Sequence, residues 1–539
     1  MSSHLLPNCQ CFLIALITIM MHQGVLFAQS FESYAGNNLT PASSLTSDEV
    51  THESPSKENL GQRVNSRFED LNPIISTDGK TLYFARKRSP ENRGGTRDPQ
   101  DIWVTTVGAD GQWTKSRNLG SDVNSIYADN LCGVTADNNT LVFYVDHQNG
   151  QGTFMYRSRT RHGWSVAHPL GVNIVNESHY LESSLSADGN ALLFTAKTKK
   201  NLRYRKNTDE RDIYVVVKAE NGMWGNPLNL GPKLNTPGDE FSPFLAADGR
   251  TLYFATNGRK GYGNVDIYVS RRKGDGWCDW TEPRNLGPQI NTRDFDAYYS
   301  VPASGNYAYM VSSYNTTGKA DIIRVPLSPS TKPAPVAVLK GIVRDLDNHK
   351  PLEATITIED RRDVVTRNAS CNPTSGEYLV TLDAGSYKLC ATSPGYASAC
   401  VDLTIEGILK YTEFEYDLAL TPLRKGLTIP LENLLFDEGK ADLRPHSLRE
   451  LNNLVSMLNT NKNLQIELRG HTDNRGTEEK LFELSMHRVE AVRDYLVKHG
   501  IKPGRVRLRG FGASRPLAKN NTEVNRQLNR RVEFLIVKI

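Results

Sequence analysis

Asp473 and Arg488 are the two residues of this 539-residue chain whose types and spacing best suit joint chemistry. Asp473 lies in Gly470-His471-Thr472-Asp473-Asn474-Arg475-Gly476, just after the alternating apolar residues Leu464, Ile466 and Leu468. Arg488 follows Leu484-Ser485 in a stretch where Leu481, Leu484, Val492, Tyr495 and Leu496 recur at helical spacing. A carboxylate at the end of a strand and a guanidinium one turn after Leu484 on the next helix can face one pocket. Such a pair can hold a zwitterion, the carboxylate taking an ammonium and the guanidinium gripping a carboxylate in bidentate fashion. It can equally close on itself as a salt bridge that pins the helix, and spacing alone favours that reading. The chain offers no Ser-His-Asp constellation, paired carboxylates, metal cluster or C-x-x-C to support catalysis or metal binding.

The elements that must position this pair begin near residue 424. A strand is expected over residues 431–436. Leu448, Leu451, Val455 and Leu458 predict a helix after Pro445. Val506 and Leu508 mark another strand, and Val532, Phe534 and Ile536 a last one. Together they predict a compact α/β sandwich over 423–539. This segment holds 22 Lys+Arg against 14 Asp+Glu, a net of +8, which leaves −4 of the overall +4 for residues 1–422. A basic module suits an anionic partner, and a solvated basic surface accounts for the charge as well.

Residues 58–326 repeat. Ser76-Thr77-Asp78-Gly79-Lys80-Thr81-Leu82-Tyr83-Phe84 returns around Asp137, Asp188 and Asp248, and in degenerate form at Ala303-Ser304-Gly305-Asn306-Tyr307. The reference positions 78, 137, 188, 248 and 304 lie 51 to 60 residues apart. Each unit adds a strand such as Asp101-Ile102-Trp103-Val104 or Asp266-Ile267-Tyr268-Val269, then a Trp and a Leu-Gly step at Gly120, Gly171, Gly231 or Gly287. Four short strands per unit with a tight turn fit a propeller blade. The region opens on Asn59-Leu60-Gly61, the tail of a unit, and its last unit lacks that tail. The two ends thus complete one unit between them, which closes a ring of five blades without a sheet edge. The repeated Asp residues are expected to serve their own turns.

Pro326, Pro329, Pro333 and Pro335 make residues 327–336 a stiff linker. Residues 337–422 read as a β-sandwich, with half-buried alternation at Ala354-Thr355-Ile356-Thr357-Ile358. Asp345 and Asp347 there read as a turn. Cys390 and Cys400 flank a Pro-Gly turn on neighbouring strands, and their pairing is left open by the odd count of five cysteines after residue 28. The apolar run 11–21, too short to span a bilayer, with Ala28 at a plausible cleavage point, reads as a secretory signal over 1–28. Its n-region departs from the usual pattern in having no Lys or Arg. Residues 29–57, rich in Ser, Thr, Asn and Glu, read as a flexible leader.

Thr472-Asp473, then Leu484-Ser485, Arg488, Val492 and Leu496, resemble the peptidoglycan-binding signature of the OmpA family, TD-x10-LS-x2-RA-x2-V-x3-L. Leu435-Phe436-Asp437, Gly510-Phe511-Gly512 and Asn529-Arg530-Arg531-Val532-Glu533 extend the likeness across 423–539. Val489 departs from it, standing beside Arg488 where that family has Ala. The resemblance implies binding of the meso-diaminopimelate peptide stem of peptidoglycan, with Asp473 on the ammonium and Arg488 on the carboxylate. Asn474, Ser485, Asn529 and Arg531 are lesser candidates, and Arg531 can instead brace the sheet. The repeats resemble PD40 or WD40-like propellers, and residues 337–422 the carboxypeptidase regulatory-like, transthyretin-like sandwich. The order of the three modules resembles that of a type IX secretion component, which has a helical repeat domain in front that is missing here.

The resulting expectation is a multidomain, non-catalytic envelope scaffold without cofactor: an all-β propeller of about five blades, a β-sandwich, and a C-terminal α/β sandwich of OmpA-like type. It is expected in the periplasm with the outer membrane and peptidoglycan, its propeller meeting envelope or outer-membrane proteins in a secretion or outer-membrane assembly. The competing reading is a propeller-based envelope hydrolase anchored to the wall. Nucleic-acid binding is disfavoured by the export signal.

Overall fold

The computed structural model describes residues 37–38 and 57–539, except 147–151, 179, 203–208, 220, 314–315, 361–365, 432–433, 435, 437–438 and 446. The expected signal at 1–28, nearly all of the expected leader, and Leu435 and Asp437 lie outside the described residues. The described chain is mostly β, in several small sheets, with few helices. No helix among the described residues is long and apolar enough to cross a membrane.

Five small antiparallel sheets follow one another between residues 58 and 326. The first is built from Asp70–Ile75, Thr81–Arg86, Asp101–Thr106 and Arg117–Asn118, each paired with the next. The local chemistry is that of the turn. Asp78 accepts the Lys80 amide at 3.0 Å, Asp137 that of Asn139 at 2.9 Å, Asp188 that of Asn190 at 3.1 Å and Asp248 that of Arg250 at 2.9 Å. Gly79 takes a φ of +71° beside Asp78, a conformation that costs glycine little. The same position in the second copy is Asn138, which also tolerates it, at +58°.

A second bond recurs. In four of the five copies an Asn precedes the Leu-Gly step and reaches the Asp that opens the third strand: Asn118 to Asp101 at 2.6 Å, Asn229 to Asp212 at 2.8 Å, Asn285 to Asp266 at 2.6 Å. In the last sheet the same bond is Asn59 to Asp321 at 2.8 Å, 262 residues apart. Its fourth strand is Glu58–Asn59, with Glu58 opposite Arg324 and Asn59 opposite Ile323.

Residues 337–420 form two sheets around one core that includes Leu339, Ile356, Tyr378, Leu389 and Leu420. Cys390 and Cys400 stand opposite each other on adjacent strands and form a disulfide. Asp345 accepts the amides of Asp347 and Asn348, so the acid serves its turn. Asp137 also accepts from the Ser370 amide at 2.9 Å, and Asp248 from the Ala334 amide at 2.8 Å. The turns of the repeat are therefore tied to the linker and to the sheets that follow it.

The C-terminal module orders as β1 (Thr428–Pro430), α1 (Ser447–Thr460), β2 (Gln465–Gly470), α2 (Glu478–Lys498), β3 (Val506–Gly510), α3 (Glu523–Asn529) and β4 (Val532–Lys538). The sheet runs β1-β4-β2-β3, with β2 and β3 parallel and the other pairs antiparallel. The sheet's opening strand among the described residues is Thr428–Pro430, and half of the expected stretch 431–436 lies outside them. Past Pro430 the Leu431 amide still donates to the Val532 carbonyl of β4 at 2.9 Å. Leu451, Leu454 and Leu458 of α1 and Val489, Val492 and Leu496 of α2 bury against Ile466, Leu468, Phe534 and Ile536. Asn461, just past α1, accepts the Gly395 amide at 2.7 Å, which joins this module to the disulfide-tied hairpin before it.

Candidate functional site

The C-terminal ends of β2 and β3 meet the N-terminal half of α2, and two glycines let them meet closely. A Cβ on Gly470 would lie 2.2 Å from the Ser485 carbonyl oxygen, and one on Gly510 would lie 2.7 Å from Ser485 Oγ. The strands thus deliver residues 471–473 and 511–512 directly beneath the helix. His471 donates its amide to the Arg531 carbonyl and Thr472 its amide to the Gly512 carbonyl, both at 2.9 Å. The His471 ring is buried and stacks on Phe511 with centroids 5.1 Å apart. Asp473, which follows Thr472, is buried.

Asp473 Oδ1 accepts the Arg475 amide at 3.0 Å, and Oδ2 accepts from Arg530 Nη1 at 2.9 Å. Its ion pair is therefore with Arg530, at the end of α3, and not with Arg488. Arg530 also reaches Glu523 at 2.8 Å, and these bonds hold its proton more tightly than usual although burial works the other way.

Arg488, on α2, is 1% exposed. Its Nε donates to the Lys440 carbonyl at 3.1 Å and its guanidinium lies 4.9 Å from the centre of the Phe436 ring. Burial, with Arg530 nearby, pushes it down to about 10, while Asp473 opposes the fall. It stays charged at neutral pH. Asp473, Arg488 and Arg530 thus feel one another in a single cluster, with Glu523 as a second anion on Arg530.

The other expected residues divide. Asn474 is exposed beside Asp473. Ser485 Oγ donates to the Phe482 carbonyl at 2.7 Å and accepts the Gly512 amide at 3.0 Å, which fixes the 510–512 loop. Asn529 is fully buried and clamps a second loop. It accepts the amides of Leu517 and Ala518 and donates to the Ala518 carbonyl and Asn520 Oδ1. Arg531 pairs with Glu533 at 3.0 Å on the sheet, the bracing role. Val489, which stood out beside Arg488, is buried in the core and faces Gly470. Arg530 escaped sequence reading. The register that places Gly470 opposite Val532 is what sets it beside Asp473, and that register is long-range information.

The OmpA family model matches residues 435–530. A peptidoglycan-associated lipoprotein of Buchnera aphidicola subsp. Baizongia pistaciae is 30% identical over 124 residues, which cover 23% of this chain and 69% of that protein. A peptidoglycan-associated lipoprotein of Pseudomonas putida is 39% identical over 99 residues, 18% of this chain and 59% of that one. The solved cell wall anchor of the T6SS from Pseudomonas aeruginosa aligns at 28% identity and a TM-score of 0.19, over 21% of this chain and 80% of that one. Four curated relatives at 37–39% identity are spanned for 28–59% of their own length.

Proposed function

The chain belongs to the OmpA family by its C-terminal module, and from that membership we propose that residues 423–539 hold it to the cell wall by gripping the meso-diaminopimelate peptide stem of peptidoglycan. The side-chain end of that residue carries an ammonium and a carboxylate on one carbon. Asp473 takes the ammonium and Arg488 the carboxylate, with exposed Asn474 at the rim. The observation that carries this reading is that Asp473 and Arg488 share one electrostatic cluster while Asp473 makes its ion pair with Arg530. The alternative in which Asp473 merely pins α2 through Arg488 loses its contact. The protein is then an envelope scaffold of the periplasm, associated with outer membrane and peptidoglycan.

Residues 58–326 complete the scaffold as a five-bladed propeller that presents a surface to envelope proteins, and residues 337–422 as a sandwich that spaces it from the wall. Three features support the ring. The Glu58–Asn59 strand joins the last sheet. The first strand of the fifth sheet packs on that of the first, as do those of the second and third, third and fourth, and fourth and fifth sheets. And residues equivalent by repeat converge: six positions before the turn reference lie Asn72, Leu131, Glu182, Ser242 and Tyr298. Asn72 donates to the Leu131 carbonyl at 3.1 Å, and Ser242 and Tyr298 both donate to Glu182.

The test is co-sedimentation of the full chain with sacculi. Diaminopimelate-type sacculi should carry it down, and lysine-type sacculi, which lack the side-chain carboxylate, should carry down much less. Equal binding to both would refute the assignment of Arg488.

A further inference from the structure

The five repeats act as controls for one another, and the third departs from the rest at three places that meet. Eight positions before the turn reference, four copies carry an acid, Asp70, Asp129, Glu240 and Asp296, and each accepts the amide and hydroxyl of a Ser or Thr four residues earlier. The third copy has Tyr180 instead, 62% exposed. Before the Asp that opens the third strand, other copies have Gln100, Val265 and Ala320, while the third has Arg211. At the position where the copies converge, the third supplies a carboxylate, Glu182. The frame is built without these side chains elsewhere, so it does not require them here.

They form one constellation. Arg211 grips Asp239 with Nε at 3.0 Å and Nη2 at 2.8 Å, and lies near the rings of Tyr180 and Phe241, at 5.8 and 5.5 Å. Its side chain is 7% exposed, yet among the described residues Nη1 has no hydrogen-bond acceptor and stops 4.0 Å from Glu182 Oε1. A buried donor left unmet is uncommon and marks a place where an acceptor is missing. Glu182 Oε2 takes the Ser242 amide at 2.6 Å and hydroxyl at 2.8 Å, and Oε1 the Tyr298 hydroxyl at 3.3 Å. Ser242 and Tyr298 do this from left-handed backbone, φ +48° and +59°, at bulges in their strands. Bulges of this kind re-aim side chains next to functional sites.

The first strand of each sheet runs from this constellation to the turn. The turns are the side tied to Ser370 and Ala334. The constellation therefore opens on the opposite side, where Phe295 is 51% exposed. Two carboxylates around one guanidinium leave a net negative charge among aromatic rings, which themselves attract cations.

We propose that this mouth binds an extended protein segment carrying a lysine or arginine. The basic side chain enters between Glu182 and Asp239 beside Tyr180, and a backbone carbonyl of the segment takes Arg211 Nη1. This rests on the reading of residues 58–326 as a propeller that meets protein partners, and it names the face and the chemistry. The probe is a bead-displayed heptapeptide library offered to the full-length protein, to Glu182→Gln, and to Tyr180→Ala, which alters only an exposed ring. Melting curves check that both variants fold. Peptides captured by the parent should share a basic residue at a fixed position and lose at least tenfold in affinity for each variant. Captured peptides with no basic preference, or that bind both variants as tightly as the parent, would overturn this site while leaving a protein-binding propeller. A library from which the parent captures nothing would overturn both.

Discussion

Arg530 Nη1 donates to Asp473 Oδ2 at 2.9 Å, and this contact orients the carboxylate on which the wall-binding reading depends. A carboxylate offers about four lone-pair sites. The Arg475 amide and Arg530 use two, so two remain for a ligand ammonium. Arg530→Met should therefore lower affinity for diaminopimelate-type sacculi by about tenfold, the scale of one charge-assisted bond of ~1.5 kcal/mol. Arg530→Lys should recover part of it. If Arg530→Met binds like the parent while staying folded, Arg530 does not position Asp473.

The bond from Asn59 to Asp321 repeats within the fifth sheet what Asn229 and Asp212 do within the third. Asp321 is fully buried, and without Asn59 it keeps, among the described residues, only the amides of Thr317 and Gly318. Asn59→Ala and Asn229→Ala should each cost about 1–3 kcal/mol in denaturant unfolding. A negligible loss for Asn59→Ala beside a clear loss for Asn229→Ala would count against a ring closed by the chain's two ends.

Reduction of Cys390–Cys400 should loosen the hairpin that carries Gly395 to Asn461. For a loop of this length the chain-entropy estimate is about 2–3 kcal/mol. The double Cys→Ser variant should unfold at lower denaturant than the parent and match the reduced protein. Identical unfolding of oxidised, reduced and double-variant protein would show that the disulfide contributes nothing to stability.

Burial pushes Asp129 and Glu240 up to about 7. Their pKa in the folded protein then exceeds that of the unfolded chain, so the native state binds more protons between the ordinary carboxylate range and about pH 7. Their contribution is fully present below the unfolded pKa and is lost as pH rises through about 7. Thermal stability should fall from pH 5 to pH 8, and Asp129→Asn with Glu240→Gln should flatten that slope. A slope unchanged by both substitutions would mean these carboxyls titrate normally.

What the sequence disclosed was local. Asp-Gly turns, apolar alternation and the split unit at Asn59-Leu60-Gly61 each lie within a few residues, and the strand Glu58–Asn59 pairs where the phase of the repeat put it. The motif led to Asp473 and Arg488, but it also carried Ser485 and Asn529, whose hydrogen bonds fix loops. A motif records spacing and does not separate residues that touch a ligand from those that hold the backbone. Arg530 and Arg211 were missed for one reason. Each acquires its partner through sheet register or contact between sheets, which no local pattern encodes. The opening strand Thr428–Pro430 was not singled out because its three residues carry no pattern of their own and take their place only from pairing with β4.

The most direct measurement is a titration of the full chain, Asp473→Ala and Arg488→Ala against diaminopimelate-type sacculi, with circular dichroism on each. Both variants should remain folded and bind at least tenfold more weakly, since each loses a charge-assisted contact of about 1.5–3 kcal/mol and strands the charge opposite it. If both bind sacculi like the parent, or lose stability but not affinity, these residues do not anchor the protein to the wall.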